Sequence, residues 1–411
     1  MDRLLTTAFL KKPLSKKRGY LPALLLIFAV QSSASLNVAN KPLSLTTGVA
    51  PNILLAIDDS GSMDSEVLLP TNDGALWWHT GNKSFVGLND NNDAETGVLN
   101  VNKNGTANDT WKKYVYLFPN GTEAGNRVYA DSSHDHYAVP PIAEYAFARS
   151  PDYNQAYFNP AGSYVPWPTV GASSFSNIVA TEAPSDPAIG GFTFDLTQDI
   201  ESGSDARTFM FFDGMPLADD GFASGKIAQK VKYYPATFYL KEALATGYGY
   251  TGASLTGYAP DGSELLGYEI KSANFSSLDT YNAMLQNFAN WFSYYRKRHL
   301  ATRAGVAHSF LDVKNARLGL FTINNRINVS MKDLGASAER DSVFSAIYSQ
   351  GGKSGGTPNR RALKHAGEQL QRSGDDAPIT HSCQANATML FTDGYSTLDT
   401  FDDIGNEDEG M

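Results

Sequence analysis

Apolar runs in this chain are short, and their period changes along it. Asn52-Ile53-Leu54-Leu55-Ala56-Ile57 carries Ile and Leu with no polar alternation. That is the pattern of a strand buried on both faces, as in a parallel sheet. Arg317 to Ile323 reads as a second strand and Thr388 to Phe391 as a last one, with a short hairpin or edge around Arg326 to Met331. From Ser276 the period becomes helical. Tyr281, Leu285, Phe288, Phe292 and Tyr295 recur in steps of four and three, which places them on one helix face, behind a capping-box-like Ser276-x-x-Asp279. Asn287, Asn290 and Arg298 fall off that face. Asp341 to Tyr348 and Arg360 to Leu370 read as further helices, the second with Pro358 as its first residue and Thr357 as its cap. Gly351 to Gly356 reads as a flexible loop.

Between the first strand and the aromatic helix the pattern loosens. Residues 66–275 are rich in Asn, Asp, Gly, Ser, Thr and Tyr, with Asn-Gly turns at Asn104-Gly105 and Asn120-Gly121. Short aromatic runs at Lys113 to Phe118, Thr208 to Phe212 and Lys230 to Tyr234 read as strands. The pattern therefore predicts an α/β unit interrupted after its first strand by a β-rich insertion. Residues 35–65 would hold the first strand and its loop, 66–275 the insertion, 276–398 the rest of the unit, and 399–411 an acidic tail without stable structure.

The first 34 residues stand apart. Arg3, Lys11, Lys12, Lys16, Lys17 and Arg18 precede ten apolar-type residues, Leu21 to Val30, and then Ser32, Ser33 and Ala34. This is the layout of a secretory signal peptide, with cleavage expected after Ala34 and a core too short to span a bilayer. Six cations and Asp2 would leave with it, so the −10 of the whole chain becomes −15 for the remainder. Such an acidic chain argues against binding a phosphate backbone. The single cysteine, Cys383, has no internal partner, and reads either as one whose disulfide partner belongs to a missing C-terminal half or, preferred, as a plain buried thiol.

The chemistry concentrates just behind the first strand, at Asp58-Asp59-Ser60-Gly61-Ser62. Asp58, Ser60 and Ser62 emerge at the strand's C-terminal end, where open α/β sheets bind ligands. Three hard oxygen donors at alternate positions suit Mg²⁺. Asp and Ser also favour simple turns, so this segment alone does not establish a site.

The Asp-x-Ser-x-Ser pattern resembles the metal-ion-dependent adhesion site of von Willebrand factor type A domains. That family uses a further Thr and a further Asp, for which Gly355-Gly356-Thr357-Pro358 and Phe391-Thr392-Asp393-Gly394 supply candidates. The resemblance implies that Ser60, Ser62 and Thr357 touch Mg²⁺ (or Mn²⁺ or Ca²⁺) directly. Asp58 and Asp393 would act directly or through water, and one position would stay open for a partner's carboxylate.

Gln286-Asn287-Phe288-Ala289-Asn290-Trp291-Phe292-Ser293-Tyr294-Tyr295-Arg296-Lys297-Arg298 resembles a signature segment of PilY-type type IV pilus biogenesis and tip-adhesin proteins. Tyr157-Phe158-Asn159-Pro160, Tyr164-Val165-Pro166-Trp167-Pro168 and Tyr234-Pro235-Ala236-Thr237-Phe238-Tyr239 extend that resemblance. It implies a von Willebrand factor type A-like (Rossmann-like) parallel sheet. Members of the family continue into a β-propeller, so the unit is expected to be truncated, split or completed by another chain, with an open sheet edge.

Other motifs have plainer readings. Gly352-Lys353-Ser354 is no phosphate loop, because position 347 is Ile347 where a glycine is required. Asp90 to Glu95 departs from a calcium loop at Glu95, and Asp219-Asp220 reads as a solvated turn. His134-Asp135-His136 lacks further ligands nearby and reads as a polar loop. Asp59 and Asp64 read as solvated carboxylates, and Arg296, Lys297 and Arg298 as complements to a helix dipole. Ser60 stands where a haloacid-dehalogenase-like phosphatase needs its second Asp, and no nucleophile elbow surrounds Ser62, so catalysis is not expected.

The resemblance implies an exported pilus biogenesis and adhesion factor at the periplasm, outer membrane and cell surface, at the pilus tip. Pilin-like or minor pilin proteins, or host and surface ligands with acidic side chains, would be its partners. No nucleic acid is expected, and no transmembrane span in the mature chain. A surface-mechanosensing or signalling module is the alternative by analogy with the fold.

Overall fold

The computed structural model describes residues 48–69, 74, 76–79, 84–85, 112–118, 137–190, 193–199, 209–211, 227–229, 233–351, 355–394 and 396. The signal-like segment, the acidic tail, Asn104, Asn120, Lys353, Ser354, His134 to His136, Asp90 to Glu95 and Asp219-Asp220 lie outside them. All elements below belong to the unit Val49–Met411.

A mixed α/β arrangement is built on four strands. They are β1 (Asn52–Ile57), β2 (Arg317–Thr322), β3 (Lys332–Asp333) and β4 (Asn386–Phe391), in the order β3-β2-β1-β4. β1 runs parallel to both neighbours in one register. Asn52 faces Arg317 and Asn386, and Ile57 faces Thr322 and Phe391. β3 is antiparallel to β2 and forms an edge. The edge expected at Arg326 to Met331 therefore falls later. Val329 and Met331 instead lie buried over β2 beside Gly319, where a Cβ would come within 2.3 Å of Val329 Cγ1. Among the described residues β4 ends the sheet, with Met389 42 % exposed.

Both faces of β1 are covered. Leu54 and Ala56 pack with Phe321, Val329, Ala362 and Ala366, the last two from helix α4 (Asn359–Leu370). Leu55 and Ile57 join a larger core on the other side, with residues of α1 (Leu278–Tyr294), α2 (Arg298–Phe310) and α3 (Ser337–Tyr348). The uninterrupted apolar pattern of β1 follows from burial on both sides.

Helix α1 starts one residue later than the capping-box reading placed it. Ser277 is the N-cap, and its hydroxyl accepts from Thr280 N at 3.2 Å. Helix α2 has no counterpart in the sequence reading, because its Arg, His and Gly305 give a weak apolar stripe. At α4, Pro358 occupies the cap position expected of Thr357. Cys383 is exposed, not the buried thiol expected.

The insertion shares the large core rather than avoiding it. Phe158 meets Phe288 at 5.0 Å between ring centroids, Tyr157 meets Trp291 at 4.8 Å, and Phe194 meets Phe292 at 5.1 Å. Such aromatic pairs each add about 0.5–1.5 kcal/mol beyond their area burial. The α1 amides, which fall off the aromatic face, hold the insertion by hydrogen bonds. Asn287 accepts from Tyr164 N at 2.8 Å and donates to Gly162 O at 2.8 Å. Asn290, itself buried, accepts from Ile178 N at 3.0 Å and donates to Tyr164 O at 2.9 Å and Asn177 Oδ1 at 3.0 Å. A three-stranded antiparallel sheet with Glu264–Glu269 at its centre, flanked by Thr237–Leu240 and Leu255–Tyr258, packs alongside.

Candidate metal centre

The common register brings the ends of β1, β2 and β4 to one level. Asp58 N donates to Phe391 O at 2.8 Å, and Ile323 N donates to Ile57 O at 3.0 Å. Three loops therefore leave the sheet side by side, carrying Asp58 to Ser62, Asn324 and Thr392 to Asp393.

The Asp58 carboxylate accepts from Ser60 N at 2.7 Å and from the Thr392 hydroxyl at 2.7 Å. The Ser60 and Ser62 hydroxyls share a hydrogen bond of 3.1 Å. Ser62 then donates to Asp393 Oδ1 at 2.9 Å, although the two are 331 positions apart in the chain. Asp58, Ser60, Ser62 and Asp393 thus form one connected group of oxygens. Burial pushes the Asp58 carboxyl above its usual range, against the hydrogen bonds from Ser60 and Thr392 and with some help from Asp393.

Thr357 is buried in the loop before α4. That loop touches the serine loop where Gly61 N donates to Gly355 O at 3.3 Å, and the loop after β4 where Ser396 Oγ donates to Thr357 O at 3.3 Å. The fold thus brings the loops of all five expected residues together, with Ser60, Ser62 and Asp393 linked through their side chains and Asp58 joined to Ser60 through its backbone N–H.

Asp59 is buried rather than solvated. Its Oδ1 accepts from Asn324 N at 3.0 Å and Asn324 Nδ2 at 3.1 Å, and Nδ2 also donates to Gly356 O at 3.0 Å. Asn324 thereby ties the β2 loop to both the β1 loop and the Thr357 loop. Asp64 is buried too, with Lys297 Nζ at 2.8 Å and His299 Nε2 at 3.4 Å. Burial alone would raise its carboxyl, but Lys297 and His299 hold it well below the usual carboxylate range.

The basic triplet is also buried and paired. Arg296 meets Glu66 at 2.8 Å, Lys297 meets Asp64, and Arg298 meets Asp393 at 2.6 Å. Only Arg296 acts at a helix C-terminus, donating to the Phe292 carbonyl of α1. Lys297 and Arg298 stand at the start of α2, so the dipole expectation fails for them. Arg298, Asn324 and Thr392 were absent from the sequence-derived set. Thr392 sits next to Asp393, but neither Arg298 nor Asn324 carried any spacing signal.

The five expected residues carry two carboxylates and three hydroxyls, oxygen groups of the kind that hard divalent cations take. No described group of three or more His, Cys, Asp or Glu side chains is placed to hold a metal. Beside Asp393 and Thr392 opens a cavity of about 480 Å³, walled by Tyr164, Trp291 and Tyr295. No described helix is long and apolar enough to cross a membrane.

Comparison with known proteins gives a consistent family signal. The chain is 25 % identical over 409 residues to the type IV pilus biogenesis factor PilY1 of Pseudomonas aeruginosa strain PAK, covering 94 % of this chain and 27 % of that protein. It is 26 % identical over 394 residues to PilY1 of strain UCBPP-PA14, covering 90 % and 25 %. The match to PilY1 of strain PAO1 is 29 % identical over 149 residues, covering 30 % and 12 %. The chain is thus a distant homologue of the PilY-type proteins and spans at most about a quarter of the length of these relatives. No protein-family model and no solved structure matches it.

Proposed function

We propose that this chain is the sheet-bearing portion of an exported type IV pilus biogenesis and adhesion factor. Its von Willebrand factor type A-like sheet would bind a divalent cation, Mg²⁺ foremost with Mn²⁺ or Ca²⁺ as substitutes. The cation would grip an acidic side chain of a pilin-like partner or a surface ligand. The observation that carries this reading is the hydrogen-bonded chain Thr392–Asp58–Ser60–Ser62–Asp393 at the C-terminal ends of parallel strands. The strand order, with β1 between two parallel neighbours and an antiparallel edge, supports it. So does the homology to PilY1 over most of the chain.

Ser60, Ser62 and Thr357 supply hydroxyl oxygens, while Asp58 and Asp393 supply charge directly or through water. The partner's carboxylate completes the coordination, so the role is binding and not catalysis. Such a factor would be exported and would act at the cell surface. Calorimetric titration of the purified protein with Mg²⁺ and Mn²⁺ tests the reading. Binding is expected in the wild type and lost in Asp58→Ala. An Asp58→Ala variant that binds with unchanged affinity refutes the site.

A further inference from the structure

Asp393, expected as a cation ligand, already has a full positive charge against it. Arg298 Nη1 lies 2.6 Å from Asp393 Oδ2, while the other carboxylate oxygen accepts from Ser62. Three of the other four guanidinium N–H groups are used as well. Nη2 donates to Val67 O at 2.6 Å and Gly74 O at 2.8 Å, and Nε donates to Val67 O at 3.2 Å. Both side chains of the ion pair are buried.

Gly74 is shaped around this group. Its φ is +67°, and a Cβ there would sit 3.1 Å from Arg298 Nη2 and 2.8 Å from Leu68 Cδ1. The arginine is therefore built in rather than resting on the surface. Its position also opposes local preference. Arg298 opens α2, at the positive end of the helix dipole, where a cation is disfavoured by about 0.3–1 kcal/mol. Helix propensity does not account for a buried cation there, but neutralising Asp393 does.

Resting on the cation reading above, we propose that Arg298 is a positioning residue of the site. It neutralises Asp393 and fixes it as an outer ligand that orients the Ser62 hydroxyl. One uncompensated carboxylate, Asp58, then remains among the five residues. A site with few anionic ligands favours Mg²⁺, which keeps its waters, over Ca²⁺, which gathers more oxygens and bidentate carboxylates. Freeing Asp393 would let it coordinate directly and would help Ca²⁺ more than Mg²⁺.

The test is calorimetric titration of wild type, Arg298→Gln, Arg298→Lys, Asp393→Asn and the double variant Arg298→Gln/Asp393→Asn with Mg²⁺ and with Ca²⁺. Arg298→Gln is expected to move the Ca²⁺/Mg²⁺ affinity ratio toward Ca²⁺ by about tenfold. Asp393→Asn leaves Arg298 uncompensated beside the cation and should weaken both metals by about tenfold or more, and the double variant should recover part of that loss. Arg298→Lys keeps the charge and should hold the ratio within about twofold of wild type. If Arg298→Gln fails to fold, a ratio that shifts toward Ca²⁺ in Arg298→Lys overturns the proposal on its own, and an unshifted ratio with weakened Asp393→Asn supports it. Equal weakening of both metals in Arg298→Gln would mark Arg298 as purely structural. A wild type that binds no divalent cation refutes the cation reading itself, and this inference with it.

Discussion

Glu66 offers the sharpest test of how the loop beyond Ser62 is held. Both Glu66 and its partner Arg296 have side chains only 1 % exposed. Glu66 Oε1 accepts from Arg296 Nε at 2.8 Å, and Oε2 accepts from Leu117 N at 2.7 Å and Phe118 N at 3.0 Å. Glu66→Ala removes the counter-charge of a buried guanidinium, a loss of about 3–5 kcal/mol. It also orphans two buried amides, each costing about 1–3 kcal/mol. These ranges overlap, because water entering the vacated space would serve all three donors. Arg296 also keeps its bond to Phe292 O and its place 3.8 Å over the Phe292 ring. The net expectation is a loss of about 5 kcal/mol. Glu66→Gln keeps an oxygen for the amides but loses the charge, so about 3 kcal/mol is expected. Urea unfolding followed by the fluorescence of buried Trp167 and Trp291 measures both. A Glu66→Ala loss below about 1 kcal/mol, the value of an exposed ion pair, would refute the reasoning. So would a reversed order of the two variants.

Two further outcomes follow from other contacts. Asn290→Ala removes one acceptor and two donors between α1 and the 164–178 segment and should cost about 2–3 kcal/mol, with faster proteolysis within that segment; unchanged cleavage would show that the amide does not hold the insertion. His299 faces Asp64, Lys297, Arg303 and Asp186, and burial pushes its imidazole down to about 4 from 6.5. The unfolded chain then takes up a proton that the folded chain refuses between these values, so stability falls as pH drops from about 6.5 to 4, by about 3 kcal/mol. Asp64, held low, adds its loss only below about 3.8. His299→Gln should flatten the upper part of this profile, and an unaltered slope there would assign it to another group.

The parts of the molecule governed by local pattern were legible in the sequence. The apolar run of β1 has alternate residues buried in separate cores, and the aromatic period of α1 marks a buried face. Asp58, Ser60 and Ser62 were visible because they stand at alternate positions of one short loop. Thr357 and Asp393 needed the family resemblance, since nothing local shows that their loops return beside Ser62. Long-range electrostatics was not legible. Asp59, Asp64, Arg296, Lys297 and Arg298 look like ordinary surface charges, because their partners are contributed by distant segments. Helix α2 escaped the pattern because its Arg, His and Gly305 weaken its apolar stripe, although Arg298, its first residue, is answered by distant Asp393. Asn287 and Asn290 fall off the aromatic face of the pattern, yet their amides satisfy backbone groups of the insertion.

The shared register of β1, β2 and β4 also has a consequence for timing. The oxygens of the serine loop are made early in synthesis, but Asp393 lies 331 positions after Ser62. The Ser62–Asp393 bond can close only once β4 has paired with β1 in the correct frame. A slip of β4 by one residue would turn its side chains to the opposite face. The Ser62–Asp393 bond thus reports that β4 has joined β1 and has done so in step.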